Sequence, residues 1–479
     1  MMRIQRTFPP TAAPLTWWEV MEGLHGWFSE KRASERLRKE LCNYFGVTDC
    51  WLVSSGKAAL TLILKALHTL SPEKKSVLIP AYTCYSVASS VVKAGLSVSL
   101  GEIDVQTLDF DYSLLKSQLT GQTLCIVVNH LLGRLADLDH CLDLARSKGI
   151  WVVEDAAQAM GISYPADSAQ VEKNVRKPGQ GESTQEKPGQ GCCALRKAAG
   201  TRADVGFFSL GRGKVICTVE GGIIVTRNPD LAAALQREYQ KLPPYSWQEK
   251  VILVAKAMAL ACFLRPSLYW LPDHLPFLKL GQTEFSTGFS LKRMSGFQCG
   301  LMRRWRRKMI HMNQARLERA RLYQRLIRSM PSPLGLIDTM PSTVKTVDAM
   351  PAGVKPVNPM SIPLPAAGIK PVNAISSPLQ AIATEESASL PFLRFPLIMK
   401  DPHQRDRLYQ QARHLGLGIS RMYPDSIDGI DQLQGQVIRG NFPAAHKLAQ
   451  TLLTLPTHCF IAQKDQKRII RLVTRAVTE

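Results

Sequence analysis

A chain of 479 residues is too long for one simple domain and long enough for a large core with a smaller second unit. Hydrophobic residues at 45% and charged residues at 21% are ordinary for a globular protein and exclude overall disorder. Sixty Lys and Arg against 39 Asp and Glu leave +21, which suits an anionic partner such as a nucleotide-linked substrate, a membrane surface or nucleic acid; a plain solubility effect gives the same excess.

The first 30 residues read as an N-terminal arm, and MMRIQRTFPPTAAPLTWW has no apolar run of the signal-peptide kind. Residues 31–45 predict a helix with Leu37, Leu41 and Phe45 on one face. Cys50–Val53 is a short strand that leads through Ser54-Ser55-Gly56 into a helical run from Ala58 to Leu70. Strands at Ser76–Ile79, Ser97–Leu100, Leu124–Val128 and Ile150–Val153 alternate with helices at Tyr85–Ala94 and Leu138–Ser147. Short β-rich runs separated by helices predict an α/β fold, a mostly parallel sheet covered on both faces.

Two segments break the pattern. Residues 165–203 repeat KPGQGE and KPGQGC, and residues 330–380 repeat AGVKPVN and AGIKPVN. Both are too polar or too Pro-rich to bury a core and are read as surface insertions. Between them, Val251–Leu264 is the longest apolar stretch; with 14 residues including Lys256 it is too short to span a bilayer. A buried helix is expected, and an in-plane membrane contact is the alternative because apolar character resumes in SLYWLPDHLPFLKL. A basic helical stretch runs from Met294 to Ile327, so that residues 251–329 form an apolar and basic connection. A strand at Leu390–Met399, helices at Gln404–Leu415, Ala444–Leu453 and Gln466–Val477 and a strand-like His458–Ile461 make a small α+β unit over residues 381–479.

Eleven scattered cysteines lack the paired CxxC spacing of a zinc site, so no metal is expected, and their odd number points to a reducing cytoplasm.

Four motifs in the region 31–250 carry chemistry. Ser54-Ser55-Gly56-Lys57-Ala58 ends a strand and opens a helix, leaving backbone N–H groups free at the positive end of a helix dipole, where a phosphate would sit. A small-residue N-cap without a ligand reads the same way. Val152-Val153-Glu154-Asp155-Ala156-Ala157-Gln158 delivers carboxylates at the carboxyl end of a strand, the ligand side of an open α/β sheet, although a capping Asp would be placed alike. In Phe207-Phe208-Ser209-Leu210-Gly211-Arg212-Gly213-Lys214 one lysine stands in a Gly-rich turn, where desolvation would depress its pKa and free a nucleophilic amine; a surface lysine is the plain alternative. Glu220-Gly221-Gly222 is a tight turn into a strand.

Together SSGKAAL, PAYT, NHLLG, VVEDAAQ, FFSLGRGK and EGGIIVT resemble the DegT/DnrJ/EryC1/StrS family of pyridoxal-phosphate sugar aminotransferases. The likeness continues in KRMSGFQCGL, RARLYQRL and FPAAHKLAQTLLTLPTH. It implies the fold-type I architecture: a large cofactor-binding domain with a mostly parallel, seven-stranded sheet and a smaller C-terminal α+β domain. It also implies pyridoxal 5'-phosphate as cofactor, an amino-acid donor such as glutamate, a nucleotide-linked keto-sugar as acceptor, and a homodimer. By the same resemblance Lys214 is the Schiff-base lysine, Asp155 pairs with the pyridine nitrogen, and Gln158 approaches the phenolic oxygen. Ser55, Gly56, Lys57 and Ala58 cradle the phosphate with help from Ser209.

Departures from the family pattern touch recognition. Lys57 stands where the family has Thr, and Cys84 stands where an aromatic stacks on the ring, with Tyr82 and Tyr85 as substitutes. The segment Arg237–Lys241 lacks the usual Asn or His, and the apolar stretch from Val251 to Leu280 is unusual. His130 is read either as a site neighbour or as a satisfied core histidine. Relatives that dehydrate sugars carry His in place of the lysine, so Lys214 argues against that activity. The remaining alternative is a catalytically degenerate cofactor-binding scaffold held at a membrane by basic and apolar surfaces. The run Arg303-Arg304-Trp305-Arg306-Arg307-Lys308 falls in the family's connecting helix, and no nucleic-acid partner is expected.

Overall fold

Seven short runs rich in Val, Ile, Leu and Cys form the central sheet: β1 (Asp49–Val53), β2 (Ser76–Pro80), β3 (Ser97–Gly101), β4 (Thr123–Asn129), β5 (Trp151–Asp155), β6 (Val205–Ser209) and β7 (Gly222–Thr226). The computed structural model describes residues 6–164, 198–275, 283–330, 379–381, 390–433, 435–437 and 440–478. Both repeats, with Cys192 and Cys193, lie outside the described residues.

The strand order is β1-β7-β6-β5-β4-β2-β3. Neighbours pair in parallel from β3 through β2, β4 and β5 to β6, whereas β7 runs antiparallel to both β6 and β1. This is the mixed, mostly parallel seven-stranded sheet expected of the fold class. Alternate strand residues serve different cores. Val127, Val153 and Phe207 face one cluster with the helices Gly56–Leu70 and Tyr85–Lys93, and Phe208 and Ile223 face another with the helix Glu30–Phe45. Ile126 and Val152 face a third cluster, under the helix Leu138–Ser147. Helices on both faces explain why β2 and β4 are apolar without alternation.

The basic stretch forms two helices, Gly296–Leu301 and Trp305–Arg328, broken at residues 302–304. The longer one reaches the C-terminal unit, where Tyr323 Oη donates to Pro456 O at 3.1 Å and Arg319 donates to Ile461 O and Cys459 O. That unit holds three antiparallel strands, β8 (Leu379–Ala381), β9 (Arg394–Met399) and β10 (Leu452–Pro456), with helices Pro402–His414, Pro443–Thr451 and Gln463–Thr478. The strand-like reading of His458–Ile461 is corrected. The strand is the preceding LLTLP run, which pairs with β9, while His458 is buried and donates from Nε2 to Pro9 O at 2.9 Å.

This histidine ties the N-terminal segment to the C-terminal unit, helped by Phe8 N–H to Gly416 O at 2.8 Å. Burial holds its pKa down to about 3. A folded pKa below the unfolded one means that the unfolded chain takes up the proton first, so stability is lost as pH falls below the unfolded value of about 6.5. Between pH 6.5 and 5 this group alone is expected to remove roughly 2 kcal/mol, at 1.36 kcal/mol per pH unit. Denaturant titrations at the two pH values, wild type beside His458→Gln, check it: the variant should show a shallower pH dependence, and equal slopes would refute the assignment.

Candidate active site

The loops that follow β1, β2, β5 and β6 converge at the carboxyl end of the parallel strands, where such sheets bind ligands. At the end of β1, Ser55 is the N-cap of the helix Gly56–Leu70, and its Oγ accepts from Ala58 N–H at 3.0 Å. These two predicted phosphate ligands therefore satisfy each other. Gly56 and Lys57 keep backbone N–H groups without a partner among the described residues, at the positive end of the helix. A Cβ on Gly56 would lie 2.8 Å from Ser209 Cβ and 3.0 Å from its Oγ, so only glycine lets the β6 end and the helix end close into one concave turn. The Lys57 side chain leaves this turn: its Nζ lies 4.4 Å from the ring centre of Phe289, with Lys93 at 4.8 Å on the same ring. Desolvation lowers the Lys57 pKa.

Asp155 ends β5 and is buried. Its Oδ1 accepts from Ala157 N–H at 3.0 Å, and Oδ2 has no hydrogen-bond partner among the described residues. Desolvation raises its pKa, against the Ala157 hydrogen bond and the nearby Lys214 charge. The neighbouring Glu154 points to the other side of the strand into a closed network. It accepts from His130 Nε2 at 2.8 Å, Gly200 N–H at 2.7 Å and Arg202 N–H at 2.9 Å. Since His130 Nδ1 accepts from Ala136 N–H at 3.1 Å, Nε2 carries the proton, and His130 is a satisfied core histidine. Burial pushes the Glu154 pKa up, but the hydrogen bonds from His130, Gly200 and Arg202 outweigh it and hold the carboxyl below its ordinary value.

Lys214 lies in the loop after β6. Gly213 before it has φ +81°, and a Cβ there would collide with Thr11 Oγ1, so the N-terminal segment presses directly on the lysine turn. Desolvation lowers the Lys214 pKa from the ordinary lysine value; Cys84 and Asp155 oppose this, while Arg394 and Arg316 add to it. Arg316, buried in the long helix, donates to Lys214 O at 3.2 Å and braces the turn from below.

Lys214 and Gln158 open onto one cavity of about 120 Å3, lined also by Cys84, Arg212, Arg394 and Tyr423. Gln158 Oε1 accepts from Leu132 N–H at 3.1 Å and its Nε2 donates to Tyr423 Oη at 3.1 Å, leaving its second N–H for another acceptor. Tyr82 and Tyr85 do not line this cavity. Tyr82 Oη donates to Met422 O at 2.7 Å and Tyr85 Oη donates to Asp425 O at 3.2 Å, so both clamp the C-terminal segment that carries Tyr423. The aromatic at the cavity is thus Tyr423, beside Cys84. Neither it nor Arg394 was indicated by the sequence patterns, because each comes from the C-terminal unit. Arg212 and Arg394 have no carboxylate partner among the described residues, whereas Arg421 pairs with Asp406 at 3.2 Å. No group of three or more His, Cys, Asp and Glu placed to hold a metal ion occurs among the described residues.

A mostly parallel α/β sheet that brings a desolvated lysine and a buried carboxylate to its carboxyl edge defines a fold-type I transferase scaffold. A model of the DegT/DnrJ/EryC1/StrS aminotransferase family matches residues 19–350, and the chain belongs to that family. GDP-perosamine synthase of Caulobacter vibrioides is 30% identical over 198 residues, 41% of this chain and 45% of that protein. L-glutamine:2-deoxy-scyllo-inosose aminotransferase of Streptomyces kanamyceticus is 28% identical over 204 residues, 43% of this chain and 40% of that protein. GDP-4-keto-6-deoxy-D-mannose 3-dehydratase of Yersinia pseudotuberculosis is 29% identical over 208 residues, 43% of this chain and 45% of that protein, so these matches span less than half of each relative. Among solved structures, PseC of Helicobacter pylori, an aminotransferase of pseudoaminic acid biosynthesis, superposes with a TM-score of 0.66 at 14% identity, covering 98% of this chain and 99% of its own. DesI, solved with its TDP-sugar product, gives 0.65 at 16% identity over 99% of this chain and 94% of its own. At such identities the likeness is one of fold.

Proposed function

We propose that the chain is a pyridoxal 5'-phosphate-dependent aminotransferase that moves an amino group from an amino acid, glutamate, to a nucleotide-linked keto-sugar, in the making of an amino sugar or a cell-surface polysaccharide. The observation that carries this reading is the pair formed by Lys214 and Asp155, a desolvated amine and a buried carboxylate delivered to one site by the adjacent strands β6 and β5. When bound, the cofactor supplies an electron sink for the carbon that loses its proton.

The rest is the work of side chains and backbone. Lys214 Nζ, its pKa lowered, gives up its own proton more readily than an ordinary lysine, as a group that takes a proton from one carbon and returns it to another must. The unpartnered Oδ2 of Asp155 holds negative charge for the ring nitrogen, and a buried carboxylate without such a cation is costly. The N–H groups of Gly56 and Lys57 with Ser209 Oγ form the turn for the phosphate, and the free N–H of Gln158 is available to the phenolic oxygen. Arg212 and Arg394 bring unpaired positive charge to the same cavity, which a donor carboxylate or a substrate diphosphate would answer. The family contains transferases and dehydratases, and an amine at position 214 favours transfer. The reading includes a homodimer and a cytoplasmic location.

The test supplies the purified chain with cofactor and glutamate, then with a panel of nucleotide-linked keto-sugars, and weighs the products by mass spectrometry. Replacement of the keto oxygen by an amino group is the expected product. Loss of water without nitrogen gain would replace transfer by dehydration, and cofactor bound without response to any donor would remove the catalytic reading.

A further inference from the structure

Among the described residues, ten of the twelve large hydrophobic side chains that stand exposed lie on two neighbouring helices and the turn after them: Trp17, Trp18, Met21 and Phe28 on Trp17–Phe28, Trp247, Val251, Ile252, Met258 and Phe263 on Trp247–Phe263, and Leu268 just beyond. The two helices pack on each other through Val20, Leu24 and Trp27 against Leu253, Val254 and Ala257, with Trp27 and Trp247 ring centres 6.4 Å apart. The first helix is held rigidly: Gly23 and Gly26 approach Gly300 and Gly296 so closely that a Cβ on either Gly26 or Gly296 would strike the facing backbone. The outward apolar side is therefore a fixed surface. The helix expected to be buried buries only one side, with Leu253, Ala257 and Ala261 inward.

The carboxylates of these two helices, and the one at the start of the helix that follows the first, are neutralised. The carboxylates Glu19, Glu22, Glu30 and Glu249 are each paired, with Lys308, Arg303, Lys250 and Lys292. Lys31, Arg32, Lys256 and Arg265 are exposed and have no carboxylate partner among the described residues, and Arg304 lies 5.4 Å from the Trp18 ring centre. Lys256 rises from the apolar side itself, four residues from Ile252, where a long stem can lie along lipid while its amine reaches the headgroups. No described helix is long and apolar enough to cross a membrane.

We infer that this face docks in the plane of an anionic lipid bilayer, with the tryptophans at the headgroup level and the unpaired cations against acidic headgroups. A second copy of the chain fits it less well. A twofold contact would set cations against cations, and the carboxylates carried by the two helices are already paired.

The experiment mixes the full chain with phosphatidylcholine vesicles with and without phosphatidylglycerol. Sedimentation and tryptophan quenching by brominated lipid are read, beside the oligomeric state in solution. Wild type is expected to bind the anionic vesicles at low salt and to be quenched. Trp18→Ser combined with Ile252→Ser should weaken binding about tenfold or more, given the apolar surface each side chain buries. Lys31→Glu with Arg32→Glu should lose the preference for the anionic lipid while the fold and cofactor binding persist. Wild type that stays in the supernatant would overturn the inference, and so would surface variants that change the oligomeric state. Neither result bears on the aminotransferase reading, whose assay uses soluble substrates.

Discussion

Lys214→Ala is expected to lower amino-group transfer by on the order of 10^4-fold, the span that a positioned acid–base group contributes. The fold should survive, because the Lys214 side chain makes no hydrogen bond among the described residues and the turn is braced through its backbone by Arg316 and by the fit of Gly213 against Thr11. Two readouts separate chemistry from folding. Borohydride should fix pyridoxal 5'-phosphate covalently to the wild-type peptide that contains Lys214 and leave the variant unlabelled. Bound but uncoupled cofactor should still be retained by the phosphate turn. A variant that kept a tenth of wild-type turnover, or a label on another lysine, would move the catalytic amine elsewhere; Lys57 is the other cation near the helix end.

Asp155→Asn is expected to cost roughly 10^2- to 10^3-fold in turnover, the scale of a preorganised charge removed from a closed site. Asparagine keeps the shape and the hydrogen bond from Ala157, so the loss isolates the charge. Its acid limb is the sharper test. Burial raises the Asp155 pKa in the chain without cofactor, so the carboxylate protonates there at a higher pH than an ordinary one and cofactor uptake by the wild type should begin to weaken as pH falls. The Asn variant has no such carboxylate, and its pH profile should lack that limb. Identical acid limbs in the two proteins would refute a charge role for Asp155.

Residues close to one another in sequence carried most of what could be read without coordinates. Strand, turn and helix start follow each other within a few residues at Ser54–Ala58, and a strand end runs into a turn at Glu154–Gln158, so apolar period, cap and acidic positions could be placed from local pattern. Local pattern fails where two distant segments decide the outcome. Tyr82 and Tyr85 follow a cofactor-side motif, yet their hydroxyls are taken by Met422 and Asp425. Tyr423, some 340 positions later, stands at the cavity instead. Arg394 looks in sequence like any charged residue at a strand start, and only the packing of the C-terminal unit over the β-sheet edge gives it a place beside Lys214. Lys57 shows the reverse case, a residue in a motif whose amine is diverted by Phe289. The helix Trp247–Phe263 was legible as a helix, but periodicity in so apolar a run could not tell its covered side from its bare one.

The cavity that holds Lys214 is bounded at one end of the numbering by Thr11 and at the other by Tyr423. During synthesis the sheet can form once β7 has left the ribosome, because its last strand ends at Thr226. The wall that carries Tyr423 emerges nearly two hundred residues later. For that interval a nascent chain presents its lysine turn in the open, with the first segment free to dock and the lid of the site still untranslated.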